Sequence, residues 1–323
     1  MITSLRVDYP KTVKMARSMA NIANINPASE DELKIKLLII DAQNTFCHQQ
    51  YADLLVPGAW EDNRRLAKLI IRNIQEITSI EVSLDSHVPM QIFFPIFWIS
   101  SNGRHPEPLT VITYKSVKDG TWRINPEVGK VYEKSNEWLE AHASYYTRQL
   151  EREDKSPLVI WPYHALLGSF GHALDSHIEA VVFAHEIARA TNRTTILKGM
   201  NAFTEYYSAL DPEIEFDCEG TSLRDFDGQQ IVDRWFSNDR LIITGQAASH
   251  CVAATLSSIL TQLEVSDPAL VERLEIYLLD DCTSPVTGFE KQTKDLFRHF
   301  AEAGVHIVKS TTPMEDWPGM NLY

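Results

Sequence analysis

Six short apolar runs alternate with amphipathic stretches along this chain of 323 residues. The runs lie at positions 36–40, 80–84, 194–197, 241–244, 275–279 and 305–308. After several of them apolar residues recur at helical spacing, as Leu66, Leu69 and Ile70 do after the first run. Strands that alternate with helices are typical of βαβ crossovers, which build parallel sheets covered on both faces. The pattern therefore predicts an α/β fold with three α/β/α layers around a doubly wound, mostly parallel six-stranded sheet.

The chain between the second and third predicted strands is much longer than one crossover needs. About 110 residues lie there, whereas most connections in compact domains are short. We predict a large insertion or cap at about 88–160, containing a hairpin over 109–124 that turns at Asp119-Gly120, and an amphipathic helix. One side of that helix carries Trp138, Leu139, His142, Tyr145 and Tyr146. Residues 1–33 are predicted to form a largely helical arm, packed on its own domain or on a neighbouring subunit, and 34–323 form one domain.

The amino-acid composition excludes some classes of binding partner. The chain has 30 basic and 44 acidic residues and a formal net charge of −14, so phosphate backbones and anionic membranes are repelled. We therefore expect no nucleic-acid partner and no membrane partner. The longest apolar run, around 91–99, is too short to span a bilayer, and the N-terminus has no apolar targeting segment. The four cysteines are far apart and lack metal-site spacing, which indicates free thiols and a cytoplasmic protein.

Chemically capable side chains follow the predicted strands, at the sheet edge where open parallel sheets bind their ligands. They are Asp41, Asp85 with His87, Lys198, and Cys251. We predict that Ser249 caps the helix after the fourth strand, which places Cys251 in the first helical turn. Free backbone amides there favour a thiolate and can receive an oxyanion.

Each of these residues also has an ordinary structural interpretation. Cys251 could be a small buried apolar side chain, Asp41 could cap a turn, and Lys198 could extend along the surface. Their convergence on one edge of the sheet favours chemistry instead. We expect Cys251 to be the nucleophile, Asp41 the general base, and Lys198 the charge that stabilises thiolate and oxyanion.

Three motifs at these strand ends resemble those of a known family. They read Asp41-Ala42-Gln43-Asn44-Thr45-Phe46, Lys198-Gly199 with Tyr207-Ser208-Ala209, and Gly245-Gln246-Ala247 with Cys251-Val252. In order and spacing they are similar to the Asp-x-Gln-x-x-Phe, Lys-Gly…Tyr-Ser-Ala and nucleophile-loop motifs of the isochorismatase and nicotinamidase superfamily of cysteine hydrolases. The resemblance implies the isochorismatase-like hydrolase fold for 34–323 and a catalytic triad of Asp41, Lys198 and Cys251.

The same resemblance implies further details of the site. It places a cis peptide bond between Gln246 and Ala247, and it forms the oxyanion hole from the backbone amides of Ala247 and Cys251. It also implies a substrate site lined by Phe46, Trp161 and Tyr207. Members of the superfamily commonly assemble as dimers or tetramers, so we expect a homo-oligomer.

Two further matches imply a metal site. Asp85-Ser86-His87 resembles the Asp-x-His of nicotinamidases, and Trp161-Pro162-Tyr163-His164 resembles their Trp-Pro-x-His. Asp85, His87 and His164 would then hold Zn²⁺, Fe²⁺ or Mn²⁺, since two imidazoles and a carboxylate suit these ions. His105 is a candidate fourth ligand. The alternative is that Asp85 and His87 only stabilise a turn, as in metal-free relatives.

Some positions depart from the nicotinamidase pattern. Ser86 replaces a bulky residue, Val88-Pro89 replaces a proline directly after the histidine, and Ala248-Ser249-His250 stands where Thr-Asp is common. His250 could contact substrate, but it points away if the helix begins at Ser249.

The expected function is a cysteine-dependent amidohydrolase that releases ammonia from nicotinamide or a related small carboxamide through a thioester. Two alternatives in the same superfamily are a metal-free hydrolase of a carbamoyl or ureido compound and an isochorismatase-like hydrolase. An alternative of another class is a catalytically silent scaffold.

Overall fold

The computed structural model describes residues 6–153 and 155–322. The strands in this part of the chain are β1 (Ile35–Ile40), β2 (Ser79–Asp85), β3 (Trp98–Ile99), β4 (Val111–Ile112), β5 (Arg123–Ile124), β6 (Leu158–Val159), β7 (Thr194–Lys198), β8 (Arg240–Gly245), β9 (Glu275–Leu279) and β10 (His306–Val308). The α-helices are α1 (Tyr9–Ala23), α2 (Asn44–Cys47), α3 (Ala59–Arg72), α4 (Tyr114–Lys118), α5 (Pro126–Tyr132), α6 (Asn136–Arg152), α7 (Ser176–Ala188), α8 (Gly228–Phe236), α9 (Cys251–Glu264), α10 (Pro268–Arg273) and α11 (Glu290–Glu302). Short 3-10 turns lie at Ala28–Glu30, Pro95–Phe97, Asp280–Cys282 and Met314–Asp316.

Six strands form one sheet in the order β10-β9-β8-β1-β2-β7, and every neighbouring pair is parallel. These are the six predicted strands, each within one residue of its predicted bounds, so the predicted fold class is confirmed. The central strand β1 is buried at all six positions, as its five apolar residues favour. Its one charged residue, Lys36, pairs with the buried Glu81 of β2 at 3.2 Å.

Helices cover both faces of the sheet. On one face, Leu37 and Val82 belong to a core that includes Leu66 of α3 and Val182 of α7. The core of the other face joins strand residues to α8, α9 and α11, through side chains that include Ile243, Trp235, Leu256 and Phe300. Since each strand feeds a helix on one of these two faces, the carboxyl ends of the strands remain open for a site.

The predicted arm contains α1, which packs on α7 of the same chain. Ala16 of α1 lies in a small buried cluster with Ala184 and Ala188 of α7. Tyr9 meets Phe183 edge-on, with 4.9 Å between ring centroids. The arm therefore packs on its own domain, one of the two expected arrangements. Residues 1–5 lie outside the described residues, and the domain boundaries remain predictions.

The segment predicted as an insertion is built differently from the expectation in one place. The prediction of a hairpin over 109–124 is wrong, because its two strands do not pair with each other. Val111–Ile112 pairs with Leu158–Val159, and Arg123–Ile124 pairs with Trp98–Ile99. Between them lies the helix α4, whose start is stabilised by a capping box formed by Thr113 and Ser116. The predicted amphipathic helix is present as α6, and Trp138, Leu139 and Tyr146 enter a third core with Phe97 and Trp98. None of the described helices is long and apolar enough to cross a membrane.

Buried His185 of α7 predicts acid sensitivity. Its Nε2 donates to the carbonyl oxygen of Ile77 at 2.8 Å, and burial lowers the pKa of this imidazole to about 4. The pKa is below that of the unfolded chain, so the unfolded state binds the proton first and stability falls as pH drops from about 6.5 to about 4. For His185→Gln we expect the free energy of unfolding to fall less steeply over this pH range, by up to about 1.4 kcal/mol less per pH unit.

Urea unfolding of both proteins across this range measures the difference. The free energies at neutral pH record the cost of the substitution itself, because the imidazole is uncharged there in both states. Parallel pH profiles for the two proteins would contradict the prediction.

Candidate active site

Four chemically capable side chains meet where the parallel strands end. Asp85 and Lys198 are the last residues of β2 and β7, Asp41 follows β1, and Cys251 is the first residue of α9. Asp85 and Lys198 are also register partners in the sheet. The chain turns sharply at Asp41, whose φ is 45°. The predicted convergence of these residues is therefore observed.

Lys198 is the centre of this cluster and is completely buried. Its Nζ lies 2.9 Å from Asp41 Oδ2 and 2.9 Å from Asp85 Oδ1. It also donates to the carbonyl oxygen of Tyr206 at 2.9 Å and lies 3.6 Å from Cys251 Sγ. Burial alone would lower the pKa of Lys198, but the two carboxylates raise it well above its usual value. The two carboxylates therefore favour the charged form of Lys198.

The surroundings of Cys251 disfavour ionisation of its thiol. Burial raises the pKa of this thiol well above its ordinary value; Lys198 opposes the shift, while Asp41 and Asp85 add to it. Desolvation and the two carboxylates thus oppose the thiolate that the position at the start of a helix was expected to favour, while the ammonium ion supports it. Burial raises the pKa of Asp41 as well, although Lys198 lowers it, so this carboxyl group can accept a proton from the thiol beside it.

The loop before Cys251 begins its helix differently from the prediction. The N-cap is His250, without a side-chain cap, and α9 begins at Cys251, so the prediction that Ser249 caps the helix is wrong. Ser249 Oγ instead accepts from the backbone N–H of Val286 at 3.1 Å. The first backbone N–H groups of a helix have no intrahelical acceptor, which leaves that of Cys251 available.

The Gln246–Ala247 peptide bond is cis, as expected from the resemblance. The Gln246 side chain anchors this bend: its Nε2 donates to Asp62 Oδ2 of α3 at 3.0 Å, and its Oε1 accepts from the Ser284 N–H at 3.3 Å. Gly245 precedes it with φ of 118°, and a Cβ there would lie 1.9 Å from the carbonyl oxygen of Ile40. The loop is therefore held rigidly from three sides.

Asp85, His87 and His164 form a second cluster, whose candidate ligand atoms lie within 4.8 Å of one another. Each imidazole uses Nδ1 to bond a backbone carbonyl, His87 that of Gly199 at 3.0 Å and His164 that of Pro162 at 2.8 Å. A carbonyl oxygen only accepts, so both Nδ1 atoms carry protons and both Nε2 atoms turn towards Asp85 Oδ2, at 2.8 and 3.4 Å.

This donor set fits a divalent transition metal. Two unprotonated imidazole nitrogens beside one carboxylate oxygen place their lone pairs next to a negative charge. Only a cation bound between them relieves this repulsion. Carbonyl groups that orient ligating histidines are also usual around metals. In a metal-free state Asp85 raises the pKa of His87 in spite of burial, so a proton can occupy the same position.

Neighbouring residues hold the ligands in place. Gln43 binds the backbone of Asp85 twice: Nε2 donates to its carbonyl oxygen and Oε1 accepts from its N–H, each at 2.8 Å. Gly199, with φ of 80°, lies against His87, and a Cβ there would lie 2.8 Å from His87 Cε1. His105 is not part of the cluster. Its ring is exposed and its Nδ1 contacts the carbonyl oxygen of Trp98 at 2.6 Å.

A narrow cavity of about 30 Å³ opens between the two clusters. Its lining contains the predicted Phe46, Trp161 and Tyr207, and also Leu54, Val56, Asp85, His164, Glu205, Ala247, His250, Cys251 and Val286. The cavity thus joins Cys251, two of the three candidate metal ligands and Ala247 in one space.

Glu205 is the residue that sequence reasoning missed. Only 5% of it is exposed, and burial raises its pKa to about 7. Its Oε1 accepts from the N–H of Tyr206 at 2.9 Å, and its own N–H donates to the hydroxyl of Tyr146 in α6 at 3.0 Å. The available signal was an acidic residue among apolar neighbours, shortly after Lys198.

The architecture matches solved structures. The yeast nicotinamidase Pnc1p is 19% identical with a TM-score of 0.54, over 84% of this chain and 98% of its own. A nicotinamidase pyrazinamidase of Acinetobacter baumanii is 16% identical with a TM-score of 0.53, over 87% of this chain and 99% of its own. No family model and no curated protein matches the chain. The isochorismatase-like hydrolase fold is thus confirmed, at an identity that speaks for the fold alone.

Asp41→Asn is expected to lower the pKa of the Cys251 thiol, because it removes the adjacent carboxylate and leaves Lys198 in place. The rate of iodoacetamide labelling of Cys251, followed by peptide mass spectrometry as a function of pH, measures this shift. Ser83→Ala is the matched control: it removes the Ser83 hydroxyl that donates to Asp41 Oδ1 at 2.6 Å, but it keeps the charge. An unchanged or raised pKa in Asp41→Asn would be inconsistent with this electrostatic account.

Proposed function

We propose that this protein is a cysteine-dependent amidohydrolase that converts a small carboxamide to an acid and ammonia through a thioester. The observation that carries the proposal is the buried contact of Lys198 with Asp41, Asp85 and Cys251, the last two of which line the cavity. Two structural neighbours with the same fold are nicotinamidases, which supports an amide as substrate.

The first half of the reaction forms the thioester. As Cys251 Sγ attacks the carboxamide carbon, its proton passes to Asp41, and the backbone amides of Ala247 and Cys251 receive the developing oxyanion. Asp41 then returns the proton to the departing nitrogen, and the carbon–nitrogen bond breaks with release of ammonia. Lys198 stays charged throughout and balances the thiolate that exists only during the attack.

The second half restores the enzyme. A water molecule takes the space left by ammonia, and Asp41 accepts its proton as the oxygen attacks the thioester carbon. The carbon–sulfur bond breaks, the proton returns to Cys251 Sγ, and the acid leaves. Asp41 thus serves as base and acid in each half, which a carboxyl group with a raised pKa does better than an ordinary one.

Asp85, His87 and His164 are proposed to hold a divalent transition ion, Zn²⁺, Fe²⁺ or Mn²⁺. When bound, the ion supplies a Lewis-acid position that binds and orients a polar group of the substrate. Asp85 links the two clusters, since Oδ1 contacts Lys198 and Oδ2 faces both imidazoles. Nicotinamide and related small heteroaromatic or linear amides are the proposed substrates.

An ammonia-release screen tests the chemistry. We expect wild-type protein to hydrolyse at least one amide among nicotinamide, pyrazinamide, biuret, ureidoacrylate, carbamoylsarcosine and maleamate. Cys251→Ala should lose about a thousandfold or more of that activity, because the nucleophile is gone. Cys218→Ala removes a free thiol outside the cavity and should keep the activity within about twofold. Equal rates for Cys251→Ala and wild type would refute the proposal.

Gly199→Ala tests the metal site without replacing a ligand. The added methyl group collides with His87, so we expect Co²⁺ affinity, read from visible absorption of metal-depleted protein, to fall about tenfold or more. Gly220→Ala is the matched control, since Gly220 has a similar φ of 83° but no atom within 4 Å of the added Cβ. Equal affinities in the two variants would exclude ligation by His87, and wild-type protein that binds no Co²⁺ would refute the site.

A further inference from the structure

Asp62 is a buried carboxyl group that the proposed reaction leaves without a role. It lies in the first turn of α3, and only 2% of it is exposed. Its Oδ1 accepts from Arg65 Nη2 at 2.5 Å, and its Oδ2 accepts from Gln246 Nε2 at 3.0 Å. Burial raises the pKa of Asp62, and hydrogen bonds from Ser284, Gln246 and Arg65 oppose this rise. Because a buried carboxylate needs such partners, Asp62 is bound firmly to the nucleophile loop (residues 245–251).

The Gln246 side chain makes the contact between Asp62 and the nucleophile loop. This side chain is completely buried, and both ends of its amide are paired. Its Nε2 donates to Asp62, and its Oε1 accepts from the N–H of Ser284 at 3.3 Å. The carbonyl oxygen of Ser284 accepts from the N–H of Ala248 at 2.8 Å. The loop is thus attached to α3 through Asp62 and to the segment after β9 through Ser284.

The peptide unit between Gln246 and Ala247 carries the Ala247 N–H that receives the oxyanion in the proposed reaction. On one side of this unit, the carbonyl oxygen of Ala247 accepts from the N–H groups of His250 and Val252 at 3.1 and 3.2 Å. On the other side, its orientation depends on the Gln246 side chain, which is attached to the Cα where the unit begins. Displacement of a positioned group by about 1 Å can lower a rate about a hundredfold, so the anchoring of Gln246 matters for the oxyanion.

We propose that Asp62 is a positioning residue of the oxyanion hole, which directs the Ala247 N–H towards the substrate carbonyl group through the Gln246 side chain. This rests on the proposed amidase function and deepens it, because the placement of a catalytic amide then depends on a carboxylate from another helix. Arg65 pairs with Asp62 at 2.5 Å, so the two side chains together add no net charge to this side of the loop.

The kinetics of single variants test this role. For ammonia release from the amide that wild-type protein hydrolyses fastest, Asp62→Ala should lower kcat about tenfold or more and change KM less than about threefold, because the oxyanion forms only in the transition state. Asp62→Asn keeps an oxygen that can accept from Gln246 Nε2 and should keep kcat within about threefold of wild type. Glu61→Ala, the matched control, removes the exposed carboxylate next to Asp62 and should keep kcat within about twofold. An unchanged kcat in Asp62→Ala, or an equal loss in Asp62→Asn, would overturn the proposal.

A double variant tests whether Asp62 acts through Gln246. Gln246→Met removes both hydrogen bonds of the amide and leaves α3 unchanged, so it should lower kcat at least as much as Asp62→Ala, and it replaces Asp62→Ala if that variant does not fold. Adding Asp62→Ala to Gln246→Met should lower kcat by less than about a further twofold, because the contact is already absent. Losses that multiply would show that Asp62 acts by another route and would contradict the proposal.

The mobility of the nucleophile loop gives a measurement that does not depend on any amide. In hydrogen–deuterium exchange followed by mass spectrometry, peptides that cover 246–250 should exchange faster in Asp62→Ala and Gln246→Met than in wild type, whereas peptides from α8 should not. Equal exchange of the loop in all three proteins would overturn the role of Asp62. Wild-type protein that releases no ammonia from any of the amides would instead refute the proposed function, and the exchange of the loop would still decide whether Asp62 positions it.

Discussion

The buried ammonium ion of Lys198 is the constraint on which the rest of the site depends. Removing such an ion from water costs on the order of several kcal/mol unless charges and hydrogen bonds replace its hydration. Here Asp41, Asp85 and the carbonyl oxygen of Tyr206 do so, each at 2.9 Å. These partners come from the residue after β1, the end of β2 and the loop after β7, so the sheet register must hold for Lys198 to be tolerated. The thiol then lies beside a charge that the fold itself requires.

Sequence reasoning located the strands whose apolar residues follow one another in the sequence. A strand buried on both faces must be apolar along its length, so β1 and β8 could be located almost to the residue, and the residues after them were site candidates. It failed where several distant parts of the chain act together. The raised pKa of the Cys251 thiol depends on burial and on two carboxylates at the ends of other strands. Likewise, the short strands Val111–Ile112 and Arg123–Ile124 pair with distant partners instead of with each other.

The segment between β2 and β7 holds in place the backbone next to the cavity. In α6, His142 Nε2 donates to the carbonyl oxygen of Phe203 at 2.9 Å, and the hydroxyl of Tyr146 accepts from the Glu205 N–H at 3.0 Å. His142 also stacks on Trp138, with centroids 4.8 Å apart and an interplanar angle of 12°. One helix of the predicted insertion thus holds the backbone that presents Glu205 to the cavity.

One departure from the nicotinamidase pattern, Val88 in place of a proline directly after His87, has a structural explanation. A proline directly after His87 would have no N–H, whereas the N–H of Val88 donates to Gln91 Oε1 at 3.0 Å. Gln91 Nε2 in turn donates to the carbonyl oxygen of Gly199 at 2.7 Å, the same oxygen that accepts from His87. The residue after the candidate ligand therefore starts a hydrogen-bond chain that returns to the ligand. The absence of a proline after His87 and the orientation of the His87 ring therefore depend on the same set of hydrogen bonds.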